Sequence, residues 1–138
     1  MRHGIALLEI MIAMVLAVIL LGIGAPRVAR ALDATAVRAA RMETTAALST
    51  ARDAAIARNA RVAVLLDTAR AAVVVAEEED TIAVHSLSSE LSVRLHASRD
   101  SIAFGPSGRG YGAANTTVIL SRGAAAETVT VSRLGRGK

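Results

Sequence analysis

The sequence predicts an α+β protein, with a long N-terminal membrane-spanning helix packed on a small antiparallel β-sheet domain. Three observations predict it. An apolar run with a single charge fills residues 5–25, an Ala/Arg-rich stretch of helical periodicity follows over residues 27–60, and from residue 61 the pattern changes to short segments of strand length. A chain of 138 residues has room for one domain beyond such an anchor. Its composition is 53% hydrophobic but includes one Phe, one Tyr and no Trp, so the core must be built from Ala, Val, Leu and Ile. A core of small side chains at this size is marginal unless neighbours help to bury it. The net charge of +4 permits attraction to anionic lipid or nucleic acid without specifying either. The absence of cysteine excludes disulfides and thiolate chemistry.

The first element is the run from Ile5 to Ala25, in which Glu9 is the only charged residue. At about 1.5 Å per residue it reaches roughly 30 Å, the thickness of a bilayer's hydrocarbon core. Arg2 precedes it without an acid, which favours a cytoplasmic N-terminus against the pull of Arg27 and Arg30. A secretory signal peptide is the competing reading, with Gly24 or Ala25 as the small residue of a cleavage site. Pro26 directly after that site and Glu9 within the apolar region both count against it. A carboxylate near the start of a membrane helix is costly unless it is paired or reaches the headgroups. A cut between Gly4 and Ile5 would place a new α-ammonium group four residues before Glu9, within reach of a charge pair in one subunit or with a neighbour.

These residues resemble the class III leader and N-terminal helix of type IV pilins and type II secretion pseudopilins. In that family a short basic leader ends in Gly, a prepilin peptidase cuts after it and methylates the new N-terminus, and Glu stands fifth in the processed chain. The resemblance implies cleavage after Gly4, methylation at Ile5 and an assembly role for Glu9. The proline common at the twenty-second processed position falls on Pro26. Ile5 stands where Phe is usual and Ala6 where Thr is common; both keep the segment apolar. Residues 1–4 are then a leader, 5–25 a transmembrane and assembly helix, and 26–138 a periplasmic domain. Pro26 lacks an N–H and crowds the preceding turn, and Gly22 and Gly24 lower helix propensity, so a bend or melted stretch is expected there without ending the helix.

Over residues 27–60, Val28, Leu32, Ala36, Ala40, Ala47, Leu48, Ala51, Ala55 and Ile56 recur every three or four residues. This predicts an amphipathic helix whose small face admits close neighbours, with Asn59 as its C-terminal turn residue. Candidate strands cover residues 61–66, 71–76, 81–85, 91–96, 101–104, 116–121 and 128–132. No helix-length pattern separates them, so an antiparallel sheet or two packed sheets is expected, not a parallel α/β arrangement with crossover helices. The stretch from Ala51 to Leu66, the segment IAFGPSGRG and the closing LGRGK are similar to the H-type minor pseudopilins and the FimT/FimU-type minor pilins. This sequence has few of the aromatic residues usual in that family's middle region, and its lack of a cysteine pair is compatible with this group.

No nucleophile, base and orienting acid come together in the sequence. His85 and His96 sit on separate candidate strands and would need adjacency plus an acid to form a metal or hydrolytic site. Glu77, Glu78, Glu79 and Asp80 read as a solvated turn beside a sheet edge. A partner-binding acidic patch is the next reading, and the spacing of a calcium loop is missing. Residues 105–112, GPSGRGYG, lack the Lys-Ser/Thr of a phosphate loop and read as a flexible loop, with Arg109 and Tyr111 as possible partner contacts. Asn115 opens a glycosylation sequon that predicts little in a bacterial envelope. Arg122, Arg133, Arg136 and Lys138 make a basic end, a solvated tail in the simplest reading, with Arg133 and Arg136 as possible contacts.

The resemblance implies a minor pseudopilin, a structural subunit at or near the tip of a type II secretion pseudopilus that supports protein export. Its expected partners are the prepilin peptidase, other minor and major pseudopilins, secreted substrate and membrane lipids. The expected location is the bacterial inner membrane, single-pass, with the C-terminal domain in the periplasm. No enzymatic activity, cofactor or metal is expected. The alternative is a type IV pilus minor pilin acting in assembly, adhesion or DNA uptake, where the basic end would meet DNA phosphates. A membrane-anchored enzyme or binding module is the third class, and unprocessed Gly4 with a clustered polar pocket would mark it.

Overall fold

The computed structural model describes residues 2–78, 80–111 and 115–132, with side chains from residue 7 onward. The chain divides into two compact units, Met1–Leu32 and Asp33–Lys138. The first unit is helical. It opens α1 (Arg2–Arg58), which continues unbroken through Gly22, Gly24 and Pro26, so the expected melted stretch is not formed. Pro26 removes one backbone donor, and the residues on either side of that position hold the helix. Arg30 adds a local tie, its Nε donating to the Pro26 carbonyl at 3.1 Å.

In the second unit, α1 buries Ala36, Val37, Ala40, Thr44, Ala47, Leu48, Ala51 and Ala55. Val37 and Thr44 were not in the stripe predicted from spacing, whereas Val28, Leu32 and Ile56 were and are exposed. Thr44 fits a buried position because its Oγ1 donates to the Ala40 carbonyl at 2.8 Å. The helix stops at Arg58 because Asn59 takes a left-handed φ of 51°. The Asn59 amide then donates to Ile56 and the Ala60 amide to Ala55, which satisfies two carbonyls of the last turn.

The chain then forms β1 (Val62–Asp67), β2 (Ala72–Glu77), β3 (Asp80–Ser86), α2 (Leu87–Leu91), β4 (Arg94–Ala97), β5 (Ser101–Phe104), β6 (Gly110–Tyr111), β7 (Thr116–Arg122) and β8 (Ala125–Val131). Every strand pair is antiparallel. Five strands form one sheet in the order β3-β2-β1-β5-β6, and three form a second in the order β4-β7-β8. The alternation of Val62, Val64 and Leu66 against Ala63 and Leu65 turns one face of β1 to the core. Asp67 closes the first hairpin, its Oδ1 accepting from the amides of Ala69 and Arg70 at 3.0 and 2.9 Å.

Four elements differ from expectation. The short helix α2 takes up most of the SLSSE segment and Leu91, so β4 begins at Arg94 and not at residue 91; β6 lies inside the glycine-rich segment; and β8 begins at Ala125, earlier than expected. The early start follows from Gly123, which has a φ of 55° at the first of two turn residues and lets Ala125 pair directly with Arg122. Beside that turn, Arg122 Nε meets Asp33 of α1 at 3.0 Å, and Arg122 Nη1 donates to the Leu91 carbonyl at 2.8 Å. The α1 face, both sheets and Leu87 of α2 contribute to one buried cluster in which Phe104, fully buried, is the only aromatic side chain.

Candidate functional site

The apolar end of α1 is the first candidate surface. Every large hydrophobic side chain from Leu7 to Ile23 is 51–70% exposed. Among the described residues this is the one helix long and apolar enough to cross a membrane. Glu9 sits among these side chains, exposed, and has no ion-pair partner among the described residues. An acid in an apolar collar needs a cation from outside its own surroundings once water is removed. Gly4 and Ile5 have helical backbones at the start of α1, and Pro26 lies within it.

The second candidate surface is the corner of the five-stranded sheet around β6. Residues 105–111 of the segment predicted to be a flexible loop form a hairpin turn leading into β6, and Gly112 lies outside the described residues. The Gly105 amide donates to the Arg109 carbonyl at 3.0 Å and the Gly108 amide to the Gly105 carbonyl at 2.8 Å. Gly108 is buried at a φ of 70°, and a Cβ there would lie 2.7 Å from Ile56 Cδ1 and 3.2 Å from Arg52 Nε of α1. The backbone angle therefore favours glycine, and any Cβ would in addition have to push the Ile56 and Arg52 side chains aside. Docking of this turn leaves Arg109 exposed and Tyr111 59% exposed. Arg61, just before β1, places its guanidinium 4.7 Å from the centre of the Tyr111 ring, a cation–π distance.

The structure thus brings Arg109 and Tyr111 together in one hairpin and adds Arg61, which sequence reasoning missed. The pairing of Ala63 with Ala103, and of Ala103 with Tyr111, is what brings residue 61 to the ring. That register depends on β6, two residues long and too short to announce itself in the sequence. Arg133 and Arg136 lie outside the described residues.

The remaining polar candidates are dispersed. His85 is on β3 of one sheet and His96 on β4 of the other. Glu77 is held by Arg58 in an ion pair of 2.5 Å, Glu78 takes a turn conformation with φ of 50°, and Asp80 opens β3; Glu79 lies outside the described residues. Among the described residues no three His, Cys, Asp or Glu side chains group as metal ligands.

A family model described as type II transport protein GspH matches residues 35–135. Two crystal structures of the type IV minor pilin FimU from Pseudomonas aeruginosa strain PAO1 share the fold. The P21 form superposes with a TM-score of 0.62 at 13% identity, covering 74% of this chain and 86% of the FimU chain. The P65 form gives 0.60 at 12% identity, covering 73% and 90%. No curated protein matches the chain in sequence.

Proposed function

This chain belongs to the GspH family of type II transport proteins, and we propose that it acts as a minor pseudopilin at or near the tip of a type II secretion pseudopilus. The observation that carries the proposal is the exposed apolar helix of residues 7–23 with the lone carboxylate of Glu9. In this reading the prepilin peptidase cuts after Gly4 and methylates Ile5, and the helix stores the subunit in the inner membrane with its sheet domain in the periplasm. Glu9 then pairs with the free N-terminus of a neighbouring subunit. In hydrocarbon the carboxylate is tolerated only when so answered, and the charge therefore sets the register of one subunit against the next. The work is mechanical and templating, not catalytic, and a separate motor supplies the energy.

The test has two parts. The mass of the native membrane form should correspond to a chain starting at Ile5, with the increment of one methyl group. Glu9→Gln should leave the sheet domain folded and cut incorporation into the filament by at least about tenfold, the effect of about 1.4 kcal/mol; wild-type incorporation would remove the pairing mechanism. A type IV pilus role is the second reading, favoured by the fold shared with FimU. Salt-sensitive DNA binding lost on neutralising Arg133 and Arg136 would select it.

A further inference from the structure

We propose that the outer face of the five-stranded sheet, at its β6 corner, docks a short acidic, apolar-flanked segment of another pilin-like subunit through Arg61, Arg109 and Tyr111. The identity of the partner rests on the subunit role proposed above. The surface itself follows from the strand register. Val62, Val64 and Leu66 face the core, so Ala63 and Leu65 face outward. Ala63 is level with Ala103 and Tyr111, and Leu65 with Val74 and Val84 on the neighbouring strands. Leu65 and Val84 are 43% and 59% exposed, and beside them this face carries Ala63, Val74 and Ala103, with Ser101 opposite Leu65 and Asp67, paired with Arg70, at the far end of β1. It ends in an exposed tyrosine with a guanidinium over its ring.

Charge decides the occupant. Among the described residues, Arg41, Arg58, Arg70 and Arg122 have carboxylate partners; Arg61 and Arg109 are among those that have none, and they flank the Tyr111 hairpin on an exposed corner of the sheet. Two arginines without carboxylate partners, one of them stacked on the tyrosine ring, attract carboxylates or phosphates. A nucleic acid gains nothing from the adjoining aliphatic rows, and a long polyanion would also meet Glu77, Glu78 and Asp80, whose turn lies at the same end of the sheet. A short polypeptide segment with one or two acids satisfies the arginines, covers Leu65 and Ala63 with its apolar residues, and stays clear of that turn. The charge pattern therefore selects a protein segment.

The test uses the full chain in cells that make the whole assembly, with Tyr111 replaced by the photo-crosslinker p-benzoylphenylalanine. The expected product joins Tyr111 to a second pilin-like subunit at a segment containing Asp or Glu. Its yield should fall about tenfold in Arg61→Glu/Arg109→Glu and recover when the acids of that segment are changed to Lys. A thermal melt of the charge-reversed chain like that of wild type would show that the loss is local. A crosslink indifferent to charge reversal, a crosslink to nucleic acid, or none in a chain that still co-purifies with pilin-like subunits would overturn the docking site alone. A chain that co-purifies with no such subunit would overturn the subunit role, and the partner with it.

Discussion

Replacing Phe104 with Ala tests whether one ring organises this core. Phe104 has 0% exposure and is the only aromatic side chain in a cluster otherwise made of Ala, Val, Leu and Ile. The α1 face in the same core is mainly alanine, fixed by the helix backbone, with Val37 and Leu48 its only larger apolar side chains, so little can move into a void. The cost should therefore sit at about 3–5 kcal/mol, the range for removing a buried Phe without collapse of the cavity. Domains of this size are stable by about 5–15 kcal/mol and lose about 4–8 °C of melting temperature per kcal/mol. Phe104→Ala should then melt roughly 12–40 °C lower, whereas Phe104→Leu, which keeps most of the volume, should lose less than about 12 °C. The assay is the strand signal in far-ultraviolet circular dichroism of the full chain in detergent, with protease resistance as a second probe. A Phe104→Ala chain melting within about 4 °C of wild type would refute the reasoning, because the core would then not depend on its one ring.

Two further substitutions probe carboxylates of α1. Gly123→Ala forces a side chain onto a φ of 55° and into the Asp33 carboxylate, displacing it from Arg122. It should destabilise the domain by about 1–3 kcal/mol in chemical denaturation, and an unchanged midpoint would show that the turn relaxes freely. Glu43 of α1 has a buried Oε2 that accepts no hydrogen bond among the described residues. Glu43→Met should raise the denaturation midpoint by the equivalent of about 1 kcal/mol; a lower midpoint would mean that the carboxylate is satisfied.

Much of this architecture was legible because its signals are long. Seven of the eight strands come from runs in which Val, Leu or Ile stand out against turn residues, as in Val62–Leu66 and Thr116–Ser121. The helix end at Arg58 was legible through Asn59, whose side chain tolerates the left-handed conformation at the end of the helix. What escaped was short or decided by tertiary contact. The helix α2 is five residues long and starts at Leu87, whose burial in the shared core anchors it. Thr44 reads as a polar helix position, yet a bond to its own preceding turn lets it be buried. Glycines suggested flexibility over residues 105–112, but Gly108 supplies the positive φ of a turn packed beside Ile56 and Arg52 of α1. Arg61 could not be assigned before the β5–β6 register was known, since nothing in its neighbourhood in sequence marks it.

The junction between α1 and β1 determines how the domain answers a pull. Three residues, 59–61, separate the end of the helix from a strand that lies inside its sheet, paired with β2 on one flank and β5 on the other. Tension drawn along the helix thus enters the sheet at an interior strand, which is held by hydrogen bonds to neighbours on both flanks and must lose both sets to leave. An edge strand in that place would have one set to lose.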